Sequence, residues 1–172
     1  VGVVAQRNAT PILIRGLQRL EYRGYDSAGL AIVDADGALK RLREVGKVQN
    51  LVDAVGRTPV TGGTGIAHTR WATHGKVTAN NAHPHLSSSA EADQSVCLVH
   101  NGIIENHTAL RAELQGLGYK FLSQTDSEVI VHLTHYYLSK QPDLLEAVRQ
   151  AVRRLEGAYA LAVIASGENE RI

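Results

Sequence analysis

Residues 30–45, LAIVDADGALKRLREV, carry the strongest fold signal in this chain. Two strand-like runs, residues 30–33 and 38–45, flank the polar segment Asp34-Ala35-Asp36-Gly37, which is typical of a hairpin loop. Strands joined by so short a loop pair antiparallel. The stretch therefore predicts an antiparallel sheet in the first half of the chain.

Apolar runs predict further strands along the chain, at residues 1–5, 64–69, 95–100 and 159–165. We expect the first of these strands to be buried. The Asn101-Gly102 dipeptide predicts a tight turn after the third. Residues 74–92 are polar and irregular, which predicts a long loop, and a loop of that length in a compact domain is usually functional or disordered.

Helices are predicted between these strands. Thr10 as N-cap and Pro11 at the first helical position begin one helix, which ends near Tyr22. Thr125 and Glu128 fit a capping box for another. A short helix is predicted at residues 48–55, and Gly118 predicts the end of a further one. The apolar positions expected to face the core are Leu13, Leu17 and Leu20; Leu110, Leu114 and Leu117; Ile130, Leu133 and Tyr137; and Leu145, Val148, Val152 and Leu155.

Strands and helices thus come in pairs rather than in strict alternation. This order predicts the α+β class, with antiparallel strands covered by helices, rather than a doubly wound parallel sheet. The sequence contains no internal repeat and no domain boundary. Residues 1–172 are therefore expected to form one domain.

The amino-acid composition argues against several classes of protein and of binding partner. The hydrophobic content of 44% makes disorder improbable, and the net charge of +1 comes from interspersed charges without a basic stripe, which argues against nucleic acid. The apolar runs are too short to span a membrane. The single cysteine rules out an internal disulfide and favours the cytoplasm. Because the chain has no methionine and opens directly in a strand-like run, we expect residues of a longer protein to precede Val1 and to follow Ile172.

Three features have the residue types of a binding or catalytic site. Arg70, at the end of a strand, could grip a carboxylate through two parallel hydrogen bonds, or could lie exposed against Trp71. The Asn101-Gly102 pair could donate to one oxyanion, or form an ordinary hairpin turn. Asp126 could pair with a substrate ammonium, or cap a helix.

The cysteine, the histidines and the other glycines give little indication of a catalytic or ligand-binding role. Cys97 lies among strand residues and is expected to be a buried hydrophobe rather than a nucleophile. The histidines have neither the spacing nor the cysteine partners of a common metal site, which argues against metal catalysis. The glycines form no phosphate-binding motif.

Four segments together resemble one family. EYRGYDSAG (residues 21–29), HTRWATHG (68–75), NAHPH (81–85) and HNGIIEN (100–106) are similar, in order and spacing, to the glutaminase domain of glutamine–fructose-6-phosphate aminotransferases. These belong to the N-terminal-nucleophile (class II) glutamine amidotransferases. The resemblance extends over essentially the whole chain.

The resemblance implies a fold and a reaction. The fold is the N-terminal-nucleophile hydrolase fold, a four-layer α/β/β/α sandwich with two antiparallel sheets. The reaction is attack by an N-terminal cysteine thiol on the side-chain amide of L-glutamine, with its own α-amine as base. Since the family's cysteine would precede Val1, the chain as printed is expected not to turn over glutamine.

The resemblance also implies roles for the candidate residues. Asn101 and Gly102 match the oxyanion hole, and Asp126 matches the partner of the α-ammonium. Arg70 matches the clamp for the α-carboxylate. The other matches are Thr73 and His74 beside that clamp, Trp71 and the loop from residue 73 onward as a lid, and Arg23, Asp26 and His83 as supporting residues.

Partners follow from the same resemblance. The whole protein is expected to carry a sugar isomerase domain, to assemble as a homo-oligomer through it, and to pass ammonia to fructose 6-phosphate. No metal or organic cofactor is implied. Two alternatives stay open, namely a glutaminase that feeds another acceptor and a catalytically silent glutamine-binding or regulatory module.

Overall fold

The computed structural model describes residues 1–24, 26–71, 76–88 and 94–172. In these ranges the first part of the chain forms β1 (Gly2–Val4), α1 (Thr10–Leu20), β2 (Ser27–Val33), β3 (Leu39–Val45), α2 (Val48–Arg57) and β4 (Thr64–Arg70). The second part forms β5 (His85–Ser88), β6 (Ser95–Ile104), α3 (His107–Gly116), α4 (Ser127–Lys140), α5 (Leu144–Val152) and β7 (Gly157–Ala165). None of the helices in these ranges is long and apolar enough to cross a lipid bilayer.

The described strands form two antiparallel sheets. The first has the order β1-β4-β2-β3 and the second the order β5-β6-β7. The predicted hairpin is confirmed, because β2 pairs with β3 over its whole length, from Ser27 opposite Val45 to Val33 opposite Leu39. Asp34 closes its loop, since its carboxylate accepts from the Asp36 and Ala38 amides at 3.0 and 2.8 Å.

Three apolar clusters show how the layers stack. One joins α1 and α2 to the outer face of the first sheet and includes Leu13, Leu17, Leu30 and Leu51. A second lies between the two sheets and includes Ala31, Ile66, Cys97 and Ile164. The third joins α3, α4 and α5 to the second sheet and includes Leu98, Leu114, Ile130 and Leu133. This order of layers confirms the predicted α+β class and the α/β/β/α sandwich.

Three strand predictions are wrong, for reasons of sheet position. β1 is a short edge strand paired only with β4, and its Val4 is 50% exposed rather than buried. The predicted loop at residues 74–92 contains β5, which pairs with β6. The Asn101-Gly102 pair makes no turn, because β6 continues through it to Ile104 alongside β7.

Gly102 explains how β6 and β7 can pair at this point. Its φ of +140° is a conformation that other residues rarely adopt, and a Cβ there would lie 2.2 Å from the carbonyl oxygen of Ala158. Glycine is therefore required for the two strands to approach, rather than for a hairpin.

Helix starts also differ from the sequence prediction. Thr10 is not an N-cap: its hydroxyl donates to the Val60 carbonyl at 2.7 Å, while its amide donates to Asn8 Oδ1 at 3.1 Å. Thr125 and Glu128 form no capping box, because the Glu128 carboxylate accepts from amides that precede α4. The Thr10 hydroxyl and the Glu128 carboxylate thus form hydrogen bonds with groups outside the helices that they were predicted to begin.

The predicted inward faces are confirmed for most helices. Leu13, Leu17, Leu110, Leu114, Ile130 and Leu133 are all buried. On α5 the prediction is confirmed for Leu155, which is buried, and for Val148, which packs against the core, but it is wrong for Leu145, which is 54% exposed. Leu117 is also half exposed, because α3 ends at Gly116.

Candidate active site

A cavity of about 830 Å³ opens between the two sheets. Its walls come from β4, from β6, from the segment before α4 and from the end of α1. The predicted site residues that line it are Arg23, Arg70, Trp71, His83, Asn101, Gly102 and Asp126. Side chains distant in sequence therefore meet in one pocket.

Strand alternation explains why two of them face each other. Ile66 of β4 packs between the sheets, so Arg70, four residues on, points into the same space. Cys97 and Val99 of β6 also pack between the sheets, which directs Asn101 there. A cation from one sheet and a carboxamide from the other thus line the same gap.

Arg70 is the best-defined group of the cavity. It is the last residue of β4, only 7% exposed, and its carbonyl oxygen accepts from the Asp26 amide at 3.1 Å. Burial lowers the pKa of Arg70, and the charges of Asp26 and Asp126 oppose that effect. The guanidinium therefore stays charged beside two carboxylates, and Asp26 supports it without lining the cavity. Trp71 follows, 57% exposed at the mouth.

Asp126 enters the cavity from the residue before α4. Its Oδ2 accepts from the Ile104 amide of β6 at 2.9 Å, and its Oδ1 lies 3.9 Å from His100 Nδ1. Although Asp126 occupies the N-cap position, its side chain caps no amide of α4. The carboxylate thus belongs to the cavity rather than to the helix end.

Four histidines cluster at the cavity, and three of them, His68, His83 and His100, line it. The ring of His83 lies 4.4 Å from that of His68, 4.9 Å from that of His85 and 6.5 Å from that of His100, between ring centres. Burial lowers the pKa of all four, to about 4 for His68 and about 3 for His85. They are therefore uncharged at neutral pH. In the described ranges no three His, Cys, Asp or Glu side chains could hold a metal ion.

This histidine group makes stability depend on pH. Because the folded pKa of His68 is about 4 against an ordinary 6.5, the unfolded chain binds more protons as the pH falls below 6.5. The free energy of unfolding should therefore fall between pH 6.5 and 4, by on the order of 3 kcal/mol from His68 alone. Urea unfolding followed at a series of pH values measures this slope.

His68→Gln is the matched variant, and its slope should be shallower. Glu128, whose folded pKa is about 2, also loses stability on acidification, but only below its ordinary value of 4.5. The window from pH 6.5 to 4.5 thus reports on the histidines. An unchanged slope in His68→Gln would show that this ring is already charged in the folded protein.

The segment that carries His83 is fastened across the first sheet. Arg43 of β3 donates to the Ala82 carbonyl at 2.9 Å, and Arg41 donates to the Pro84 carbonyl at 3.3 Å. A Cβ at Gly29 of β2 would lie 2.1 Å from the His83 carbonyl oxygen, so glycine is needed for this close approach. Sequence reasoning missed these contacts, although two arginines on one strand face gave a signal.

Other predicted residues fall outside this set. Cys97 is fully buried between the sheets, and burial raises the pKa of its thiol to about 12, which confirms the prediction of an unreactive side chain. Thr73 and His74, with the start and the end of the predicted lid loop, lie outside the described residues. At the opposite wall, the Val1 nitrogen donates to the Ala67 carbonyl of β4 at 2.8 Å.

The chain is similar in sequence to glutamine amidotransferases. The profile of the family described as "Glutamine amidotransferase domain" matches residues 68–172. Over 172 residues the chain is 59% identical to the glutamine–fructose-6-phosphate aminotransferase (isomerizing) of Pseudomonas aeruginosa and 57% identical to that of Bordetella pertussis. All of this chain is covered, but it spans only 27% and 28% of those two proteins.

Two solved structures share the fold. The glutamine phosphoribosylpyrophosphate amidotransferase from B. subtilis complexed with ADP and GMP superimposes with a TM-score of 0.81 at 29% identity. A structure described as the allosteric regulatory enzyme of purine biosynthesis gives 0.82 at 30% identity. Each match covers 95% of this chain and 34% of the other.

Proposed function

The chain belongs to the glutamine amidotransferase family, and on that premise we propose that it is the glutaminase part of a glutamine–fructose-6-phosphate aminotransferase. The observation that carries the proposal is the meeting of Arg70, Asp126 and Asn101 in one cavity between two sheets. The Arg70 cation suits the carboxylate of a free amino acid, and the Asp126 anion suits its ammonium group. The Asn101 carboxamide suits a side chain that ends in an amide.

L-glutamine fits these groups in one orientation. The Arg70 guanidinium binds the α-carboxylate through parallel hydrogen bonds. Asp126 binds the α-ammonium, and the neutral histidines beside it do not compete for that charge. The side-chain amide then reaches towards Asn101 and Gly102, and Trp71 lies at the mouth of the cavity. Substrate-binding roles for Thr73 and His74 stay part of the proposal.

The nucleophile in this proposal is the terminal cysteine of a Cys-Gly-Ile segment that directly precedes Val1 in the full-length protein. Val1 lines the cavity, and its backbone pairs with Ala67 in both directions at 2.8 Å, which fixes where a preceding residue would emerge. Cys97 is buried and too weakly acidic for this role. An α-amine with an ordinary pKa near 8 is a suitable base beside such a thiol.

The reaction then proceeds in two halves. The thiol gives its proton to the α-amine, and the sulfur attacks the amide carbon of glutamine. The Asn101 side-chain amide and the Gly102 backbone amide hold the resulting oxyanion. The carbon–nitrogen bond breaks and ammonia leaves with the proton from the amine. Water then attacks the thioester, releases glutamate and restores the thiol.

Supporting roles are proposed for three further residues. Asp26 steadies Arg70, with which it interacts electrostatically and through the backbone. Arg23 stands at the mouth of the cavity, and His83 forms its floor. None of these groups takes part in bond making.

The acceptor and assembly also belong to the proposal. Relatives of more than three times this length leave room for a sugar isomerase domain, which would pass ammonia to fructose 6-phosphate and mediate a homo-oligomer. We place the whole protein in the cytoplasm, in keeping with the buried, free Cys97. The chemistry calls for no metal or organic cofactor.

The test uses an electrophilic glutamine analogue and the full-length protein. Peptide mapping should place one adduct on the terminal cysteine of the Cys-Gly-Ile segment before Val1, with Cys97 unmodified, and excess glutamine should prevent labelling. An adduct on Cys97 would refute the assignment. Glutamine binding without an adduct or glutamate release would instead identify a silent binding module, and glutamate release without amination of fructose 6-phosphate would point to another acceptor.

A further inference from the structure

The five residues before α4, residues 122–126, form a turn that we name the Asp126 turn. Its first two amides, those of Leu122 and Ser123, donate to the carboxylate of Glu128 at 2.8 and 2.7 Å. The Ser123 hydroxyl also donates to Glu128, at 2.7 Å. Three donors of the turn therefore converge on one side chain.

Other elements hold the rest of the turn. Asn81 Oδ1 accepts from the Gln124 amide at 2.9 Å, and Arg111 of α3 donates to the Ser123 and Thr125 carbonyls at 3.2 and 2.9 Å. The Thr125 hydroxyl lies 3.2 Å from His85 Nε2. The turn is thus fixed from the loop before β5, from α3 and from α4.

Glu128 is the buried charge at the centre of these contacts. It is 5% exposed and lies 3.7 Å from His132, one turn along α4. Burial alone would raise the pKa of Glu128, but the nearby His132 ring and the hydrogen bonds from Leu122 and Ser123 lower it to about 2. The side chain is therefore an acceptor at every working pH.

We propose that Glu128 is a positioning residue, which holds the Asp126 turn so that the Asp126 carboxylate meets the α-ammonium of the substrate. This inference rests on the proposed function. Asp126 is the last residue of the turn, and its carboxylate reaches across to the Ile104 amide of β6. A shift of about 1 Å in such a group can lower activity by about 100-fold.

Glu128→Gln is the most informative variant. It keeps the shape of the side chain but replaces one carboxylate oxygen, an acceptor, with an NH2 group, a donor. That NH2 group would face the donors of Leu122 and Ser123. We expect the KM for glutamine to rise about 10-fold, as for the loss of one charge-assisted hydrogen bond. Because Glu128 touches no reacting atom, kcat should stay within about 3-fold of its original value. Glu146→Gln, at a half-buried glutamate of α5 that contacts Gln150 and Arg149, is the matched control and should change neither constant.

Double-mutant cycles in the full-length protein separate positioning from a general effect on folding. If Glu128 acts through Asp126, then Glu128→Gln should change the KM by less than about 2-fold when Asp126→Asn is already present. In an Arg70→Lys background it should still raise the KM about 10-fold. Additive effects in both backgrounds would overturn the inference, and so would an unchanged KM in the single variant.

A second variant covers the possibility that Glu128→Gln does not fold. Arg111→Lys, which keeps the charge but weakens the two contacts with the turn, should show the same pattern of coupling with a smaller effect. If the unaltered protein releases no glutamate, the proposed function fails, and the cycles are then measured in the dissociation constant of glutamine. An active protein with additive cycles overturns this inference alone.

Discussion

Replacing Arg70 with alanine in the full-length protein is expected to raise the KM for glutamine by about 30- to 3000-fold. The range follows from the loss of about 2–5 kcal/mol when one partner of a buried charge pair is removed. Arg70 is 7% exposed and lines the cavity with Asp126, so without Arg70 the substrate carboxylate would lie near the Asp126 carboxylate without that cation. Steady-state glutamate release over a wide glutamine range measures the change.

Two further variants make the result specific. Arg70→Lys keeps the charge but not the paired donors, so it should recover only part of the lost affinity. Arg57→Ala, which removes an exposed ion pair with Glu44, should leave the KM unchanged. A KM for Arg70→Ala within about 3-fold of the original would show that the carboxylate binds elsewhere.

Replacing Asn101 with alanine should act on kcat instead. Removal of one oxyanion donor lowers kcat by about 100- to 1000-fold. The KM for glutamine should change little, because the Asn101 carboxamide donates to the substrate amide oxygen mainly after that oxygen has become negatively charged. Single-turnover measurement of acyl-enzyme formation locates the loss in the first chemical step.

Asn101→Asp sharpens this second prediction. It preserves the size of the side chain but presents a carboxylate to a developing negative charge, so it should be at least as slow as the alanine variant. Gln49→Ala, which removes an exposed amide from α2, serves as the control. A large rise in KM without a fall in kcat would assign Asn101 to ground-state binding.

The hairpin of β2 and β3 and the faces of most helices could be predicted from the sequence. These features depend on short-range signals, namely a polar loop between two runs and apolar spacing along a helix. Asn101-Gly102 shows where that approach fails. Its local preference for a turn is overridden by pairing with Ala160 and Tyr159 of β7, which are more than fifty residues away.

The residue types of the site could be predicted from the sequence, but the contacts that hold these residues in place could not. Arg70 and Asn101 were candidates from chemistry alone, and strand alternation places both in the gap between the sheets. The contacts that fix their surroundings run between distant segments, such as Arg43 with Ala82 and Asn81 with Gln124. No local sequence pattern predicts such pairs, because each of these residue types is also common in the strand, loop or helix where it occurs.

The two sheets are made from successive halves of the chain. The strands of the first sheet end at Arg70, and those of the second end at Ala165. During synthesis the ribosome must therefore add 165 − 70 = 95 residues before the apolar face with Ala31, Val33 and Ile66 is fully covered. At about 5–20 residues per second this takes roughly 5–20 s. The nascent chain therefore exposes this apolar face for that interval, and such exposed apolar surface is what chaperones bind.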